Sequence, residues 1–295
     1  MLFRTPRIRR KRRSEIRNLK FNHKHMKSIT LKSGNEIPSL GFGTWKLKGD
    51  DAKNAVAYAL KIGYRHIDAA EIYDNQIYIG AAILESQIPR EDIFITSKVF
   101  HDHLEPEQIV ESCVNTLKDL QTNYLDLLLL HWPNKDIAIE DQLGALNSLK
   151  EKNLVKSIGV SNYNIRHLTE ALDAEIEFDV NQVEFHPSLN QIKLKQFCEE
   201  NGIVITAYSP IAQGQDLVLP TVLEVAKKYK KTPSQTILNW IISQDMVTIP
   251  RSNKEDHIKD NFGALGWEME KSDIERLNKL NTNNRLINRE WGEFD

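Results

Sequence analysis

A closed barrel of eight βα units, the (β/α)8 TIM barrel, is the fold the sequence predicts, and three observations predict it. From Leu40 onward, short apolar or β-branched runs alternate with amphipathic helical stretches, the pattern of repeated βα units around a parallel sheet. Eight such runs occur, each too short or too β-branched for a helix: Leu40–Gly43, Tyr64–Asp68, Ile93–Ser97, Leu125–Leu130, Val155–Val160, Val180–Val183, Ile203–Tyr208 and Val247–Ile249. No low-complexity linker or change of composition divides the body, so the eight units are expected to close into one barrel rather than part into two domains.

Taken in order, the first element lies ahead of the barrel. Ser28 to Leu31 and Glu36 to Pro38 flank Ser33-Gly34-Asn35, a turn sequence, and predict an N-terminal β-hairpin. Helices fall between the strands. After Pro106, which suits a first helical turn, Ile109, Val110, Cys113, Val114, Leu117 and Leu120 repeat with helical spacing, and Val222, Leu223, Val225, Ala226 and Tyr229 do the same later. Asn283-Asn284-Arg285-Leu286 with Trp291 gives a short C-terminal tail. One domain is expected over residues 28–295. A doubly wound sheet is the structural competitor, but Gly41-Phe42-Gly43 continues as Thr44-Trp45-Lys46 and lacks the third glycine of the dinucleotide fingerprint, and there is no P-loop. Any nucleotide must be held by something other than a Rossmann turn.

With 295 residues, 40% hydrophobic and 27% charged, the chain has the composition of a globular protein. Its longest purely aliphatic stretch, Leu127 to Leu130, is far below the roughly 18 residues of a membrane span. Two cysteines, Cys113 and Cys198, give neither a disulfide framework nor metal-site spacing, and they read as inert thiols of a reducing compartment. The net charge of −2 conceals an asymmetry: residues 1 to 27 carry eleven Lys or Arg against one acid, Glu15, a local balance of +10 that leaves −12 on the rest. An acidic body argues against a nucleic-acid-binding domain. Arg7, Arg9, Arg10, Lys11, Arg12 and Arg13 form a block too dense to fold. The favoured expectation is a disordered, dispensable tail or a mis-assigned start, with Met26 as the true first residue; a targeting segment and a nucleic-acid arm are the alternatives.

In such a barrel, chemistry belongs at the C-terminal ends of the strands. Asp68 ends the second strand, Tyr73 follows it, Lys98 comes at the end of the third, and His131 follows Leu127 to Leu130. Singly, each has a structural explanation: a helix cap, a packed ring, a snorkelling amine, a satisfied core histidine. Together they meet one need, a proton donor beside a carbonyl near neutral pH. Tyr ordinarily titrates near 10, and an ammonium at Lys98 is expected to lower that value. Asp68 would keep Lys98 charged and oriented, and His131 would hydrogen-bond the substrate oxygen as negative charge develops.

These residues resemble those of the aldo-keto reductases. The matching stretches are Gly41 to Trp45, Gly63 to Ala70 with Tyr73, Ile95 to Lys98, Leu130 to Pro133, Ile158 to Asn162, Asn181 to Glu184, Tyr208 to Pro210 and Ile249 to Ser252, in family order over about residues 28 to 295. The resemblance implies NADPH bound in extended form and a catalytic tetrad of Asp68, Tyr73, Lys98 and His131, with Tyr73 as general acid. It places Thr44, Ser161, Asn162 and Gln182 on the cofactor, the last three at the nicotinamide carboxamide. Tyr208 would stack on the nicotinamide, and Ser209 and Ile211 would follow the pyrophosphate. Arg251, Ser252, Asn253, His257 and Asn261 would surround the adenosine and its 2′-phosphate. His257 stands where the family commonly has arginine, and neutral imidazole recognises phosphate less well than guanidinium. Arg251 compensates, so NADPH stays favoured and NADH stays open.

By the same resemblance, Trp45, Tyr73, Phe100, His131 and Trp132 would line an aromatic substrate pocket. Short loops at Asn134 to Ile139 and Ala212 to Leu217 and the brief tail suggest little polypeptide to close over a ligand. The pattern looks like the compact bacterial members, the 2,5-diketogluconate reductase and methylglyoxal reductase type. The expectation is a cytoplasmic, monomeric reductase of small aldehydes, ketones or 2-oxo sugar acids, with no nucleic-acid or membrane partner. A cofactor-binding regulatory subunit with little turnover is the main alternative, and a Schiff-base aldolase using Lys98 a further one. His66 and His186 read as packing rather than metal ligands, and His101 and His103 as exposed loop residues.

Overall fold

A hairpin of β1 (Ser28–Thr30) and β2 (Glu36–Pro38) opens the chain, paired antiparallel with Ile29 opposite Ile37. Its turn is closed by Leu31 and Asn35, the Leu31 N–H donating to the Asn35 carbonyl at 2.9 Å, and Gly34 supplies the positive φ of 84°. The computed structural model describes residues 27–294. Expectations for the basic segment fall on residues 1–26, outside the described residues. Lys27 is described and is tied to the barrel: its Nζ donates to Asp245 at 2.6 Å and its carbonyl accepts from the Ser39 N–H at 2.9 Å.

Eight parallel strands follow in sequential order: β3 (Phe42–Gly43), β4 (His66–Asp68), β5 (Phe94–Val99), β6 (Leu125–Leu130), β7 (Val155–Ser161), β8 (Val180–Glu184), β9 (Val204–Tyr208) and β10 (Val247–Thr248). The two edges meet. Leu40 bridges Thr248 in parallel, with Gly41 N–H to Thr248 O at 2.8 Å and Gly43 N–H to Pro250 O at 3.1 Å, so the (β/α)8 barrel of the sequence is closed. The helices between strands are α1 (Gly49–Ile62), α2 (Gln76–Ser86), α3 (Pro106–Asp119), α4 (Ile139–Glu151), α5 (Ile165–Asp173) and α6 (Ile192–Glu200). β9 is followed by two, α7 (Pro220–Tyr229) and α8 (Pro233–Ile242), and β10 by α9 (Glu255–Phe262) and α10 (Lys271–Asn278).

Burial divides into two cores. Leu31 and Ile37 of the hairpin join Phe94, Leu127, Leu129, Val180, Val247 and Ile249 inside the barrel, and a larger core fills the space between sheet and helices. The hairpin is fixed at the N-terminal strand ends, since Ser33 N–H donates to Asp179 at 2.8 Å and Asn35 Nδ2 to Ser157 Oγ at 2.8 Å. With one end sealed, the C-terminal rim is the end left for chemistry. Interior space is tight at Gly159 of β7, where a Cβ would lie 2.5 Å from the Val180 carbonyl oxygen. Gly159→Ala is expected to cost about 2–3 kcal/mol, lowering Tm by roughly 5–10 °C in a thermal melt; an unchanged Tm would contradict this packing.

Candidate active site

Asp68 is the last residue of β4 and Lys98 the fifth of β5, and the parallel register sets them on neighbouring strands at the same rim. Both are buried, with Lys98 at 1% and Asp68 at 2% exposure. Lys98 Nζ donates to Asp68 Oδ1 at 2.6 Å and to the Ala69 carbonyl at 2.8 Å. The other Asp68 oxygen accepts from Gln182 Nε2 at 2.7 Å, and the Asp68 carbonyl accepts from Thr44 Oγ1 at 2.8 Å. A buried ion pair is sustained only when its remaining valences are met, and here each carboxylate oxygen has a donor. Two donors of Lys98 are thereby committed, which argues against a free amine poised for Schiff-base formation.

Tyr73 closes a short 3-10 turn, Glu71–Tyr73. Its hydroxyl makes no hydrogen bond among the described residues, while Lys98 Nζ lies 5.2 Å from its ring centroid. The turn is braced from two sides: Glu71 Oε1 accepts from the Phe100 N–H at 2.5 Å, and Asn75 Nδ2 donates to the carbonyls of Thr44 and Leu47, both at 2.9 Å. Sequence reasoning missed Glu71 and Asn75, whose partners lie 25 or more residues away. The expected lowering of the Tyr73 pKa is not what the surroundings produce. Burial, and then the Asp68 charge, push Tyr73 well above its ordinary value, because the ammonium of Lys98 is spent on Asp68. Tyr73 therefore holds its proton at neutral pH, the state a general acid needs.

His131 follows β6 directly and is buried. Its ring meets Tyr73 and Phe100 edge-on at 5.8 and 6.0 Å and stacks with Trp132 at 6.5 Å. Burial first, then Lys98 and His101, hold it well below the usual histidine range, so it is a neutral imidazole. Its Nδ1 is buried without a partner among the described residues.

Ser161 ends β7 and Asn162 follows it, while Gln182 lies mid-strand on the neighbouring β8, paired with Ser161. Ser161 Oγ donates to the Gln182 carbonyl at 2.8 Å. Asn162 is engaged at both ends, Nδ2 donating to the His131 carbonyl at 2.9 Å and Oδ1 accepting from the Tyr208 hydroxyl at 2.8 Å. The Gln182 carboxamide oxygen has no such bond among the described residues. Tyr208, half-buried at the end of β9, is a flat ring fixed beside Asn162, and Ser209, Ala212, Gln213 and Gly214 after it all have positive φ. Ile211 is half-buried and packs on the core. Further round the rim, Arg251, Asn253 and His257 are exposed, and Arg251 forms no ion pair among the described residues. Ser252 accepts from the Lys254 N–H at 3.0 Å, and Asn261 Oδ1 accepts from Ser234 at 2.6 Å.

The aromatic rim differs from the sequence expectation. The brief tail reaches it: Trp291 lies 4.7 Å from His101 and 6.5 Å from Trp132, and Phe294 packs on Trp132 at 5.9 Å. His101 is therefore half-buried under Trp291, while His103 is exposed and bonds Glu71 at 3.1 Å. Trp45 makes none of these ring contacts; Lys46 Nζ sits 4.3 Å over its ring. Glu293 anchors the tail through Arg166, through His167 at 3.4 Å and through Lys135 at 3.5 Å. A cavity of about 640 Å³ lies between this tail and α5, lined by His101, Tyr163, Arg166 and Trp291 among others, and none of Asp68, Tyr73, Lys98 or His131 lines it. Among the described residues no cluster of His, Cys, Asp or Glu could hold a metal ion, and no helix is long and apolar enough to cross a membrane.

Comparison with known proteins adds a lineage to this geometry. The family model described as "Aldo/keto reductase family" matches residues 39–282. Glyoxal reductase of Bacillus subtilis is 41% identical over 261 residues, covering 88% of this chain and 94% of that protein. Methylglyoxal reductase DkgB of Escherichia coli O157:H7 is 35% identical over 258 residues, covering 86% and 97%. Among solved structures, an aldo-keto reductase complexed with NADPH superposes with a TM-score of 0.84 at 28% identity, covering 89% of this chain and 90% of the other.

Proposed function

The chain belongs to the aldo/keto reductase family, and from that premise we propose that it is an NADPH-dependent reductase of small aldehydes, ketones and 2-oxo compounds in which Tyr73 is the general acid. The observation that carries the reading is the buried Asp68–Lys98 pair beside the ring of Tyr73, whose hydroxyl has no partner among the described residues, with neutral His131 against the same ring. The relatives named for glyoxal and methylglyoxal support the substrate class. Diketogluconate, a 2-oxo acid, falls within the same class of 2-oxo compounds.

The donor set suits the cofactor. A carboxamide can bond the Gln182 oxygen and the remaining valences of Ser161 and Asn162, a flat ring can lie on Tyr208, and the Gln213 N–H can face phosphate, since those of Ala212 and Gly214 in the same left-handed run donate to the Ser209 and Ile211 carbonyls. Arg251, with Asn253 and His257, is the cation available to a 2′-phosphate. Ser252 and Asn261 have local partners, so their share in the adenosine site falls on their remaining valences. When bound, the cofactor supplies a hydride to the carbonyl carbon. The chain's own part is to protonate the oxygen from Tyr73, to stabilise its developing charge with a hydrogen bond from His131, and to keep both groups oriented through Lys98 and Asp68. Phe100 and Trp132, packed on His131, and Trp291 over Trp132 exclude water around the oxygen, and Trp45 is the remaining aromatic of the pocket.

The reading is tested by absorbance at 340 nm with NADPH and NADH against methylglyoxal, diketogluconate, a β-keto ester and an aromatic aldehyde. Oxidation with the dicarbonyls fastest is the expected order, and no oxidation of either cofactor would overturn it. Arg251→Ala is expected to weaken NADPH binding about tenfold in a fluorescence titration and NADH binding less than about twofold, as loss of one charge-assisted contact predicts. Equal weakening of both would remove Arg251 from the phosphate.

A further inference from the structure

His186 sits in a fully buried ionic triad that the reduction step does not use. Its Nε2 lies 3.0 Å from Glu184 Oε1, and its Nδ1 lies 3.0 Å from Ser188 Oγ and 3.3 Å from Asp216 Oδ2. The side chains of Glu184, His186 and Asp216 are exposed by 0%, 0% and 2%. Ser188 Oγ donates to Asp216 Oδ1 at 2.7 Å, so the Ser188 oxygen is left to accept from Nδ1. Both ring nitrogens thus face acceptors, and only the imidazolium carries a proton on each.

What the triad joins is the reason to give it a role. Glu184 ends β8, two residues beyond Gln182. Its two oxygens accept the backbone N–H groups of Leu286 at 2.8 Å and Ile287 at 2.9 Å, in the tail that carries Trp291. Asp216 belongs to the 3-10 segment Ala212–Val218, which follows Ser209 and Ile211. The His186–Leu189 turn holds the tail a second time, Ser188 O accepting from the Thr282 and Asn284 N–H groups at 3.0 Å. Three pieces separated by up to a hundred residues therefore share one buried centre.

We propose that His186 is a positioning residue: by bridging Glu184 and Asp216 it fixes the cofactor-side segment Ala212–Val218 and the pocket-side tail at Leu286 and Ile287 to one strand end, so that both are held or released together. The inference rests on the reductase reading, which supplies the meaning of the two sides. The groups facing the triad are Glu184 on β8, Asp216 on the 3-10 segment, Arg285 on the tail and Tyr208 on β9, the last two acting on Glu184. Burial alone would lower His186, but its hydrogen bonds to Asp216 and Glu184 outweigh burial and hold it above the usual histidine value. Burial would likewise raise Asp216, yet donors from His186 and Ser188 hold it low. With a folded value above the unfolded one, the bridge is intact below the ordinary histidine range and is lost as pH rises through the folded value.

The test is NADPH binding to the full chain, followed by fluorescence quenching across pH, with hydrogen exchange at Leu286 and Ile287 in the same protein. In the wild type, the dissociation constant for NADPH is expected to rise about five- to tenfold as His186 deprotonates, a coupling of ordinary size. Asp216→Asn removes one carboxylate, so that rise should shift to lower pH, a movement a merely structural contact would not cause. An unshifted midpoint in Asp216→Asn overturns the proposal. Should that variant fail to fold, wild-type exchange decides: after correction for intrinsic rates, protection at Leu286 and Ile287 should fall as pH rises from the ordinary histidine range through the alkaline range in which the chain stays folded, and unchanged protection overturns the bridge. Absence of NADPH binding at any pH would instead overturn the reductase reading, and the exchange measurement would still judge the bridge.

Discussion

Replacing Tyr73 by phenylalanine is expected to lower kcat by roughly 100- to 10,000-fold, the usual worth of a positioned general acid, while NADPH binding stays within about twofold. The change is unusually clean here. The hydroxyl has no protein partner among the described residues, so its removal leaves no orphaned donor, and the ring contact with His131 at 5.8 Å is kept. Thermal stability should therefore match the wild type. Steady-state kinetics together with a melt checks both halves: full turnover in a folded Tyr73→Phe protein would show that the proton comes from elsewhere.

Lys98→Met has the second large effect, and it falls on stability as well as turnover. Removing the ammonium leaves Asp68 at 2% exposure with Gln182 as its remaining side-chain donor. Breaking a buried pair from one side costs about 3–5 kcal/mol, because the surviving charge is still desolvated. For a chain of this size that is roughly 10 °C in Tm. Adding Asp68→Asn should recover most of the stability, since an amide needs no counter-charge, yet leave turnover at the level of the single variant. Melting and kinetics on the four proteins of this cycle separate the structural part of the pair from its catalytic part. Recovered turnover in the double variant would mean that the charges near Tyr73 do not matter to proton transfer.

The barrel was legible because strands of a parallel sheet are covered on both faces and read as continuous apolar runs, as Leu127 to Leu130 does. Boundaries were less so, for local reasons. The second strand begins at His66 rather than Tyr64, because the Tyr64 N–H closes α1 by donating to the Ala59 carbonyl at 3.0 Å. At the first strand, Leu40 reaches its neighbour only as a single bridge. The barrel rule located Asp68, Lys98 and His131, since each stands at or next to a strand end. What the residues alone did not disclose is the wiring between distant segments: Gln182 on Asp68, Glu71 on the Phe100 backbone, Trp291 over His101, and His186 between Glu184 and Asp216. Such contacts have no periodicity. The one local sign was two acids and a histidine near turns, which composition cannot distinguish from solvated charge. The sign of the Tyr73 shift was misjudged for the same reason, as it depends on which partner takes the Lys98 charge.

Hydride transfer itself can be followed with NADPH dideuterated at the reactive nicotinamide carbon and methylglyoxal as acceptor, analysing the product by mass spectrometry. The account predicts that deuterium appears on the former carbonyl carbon, one label for each NADPH oxidised. NADPH left unconsumed, or consumed with no label in the product, would contradict it.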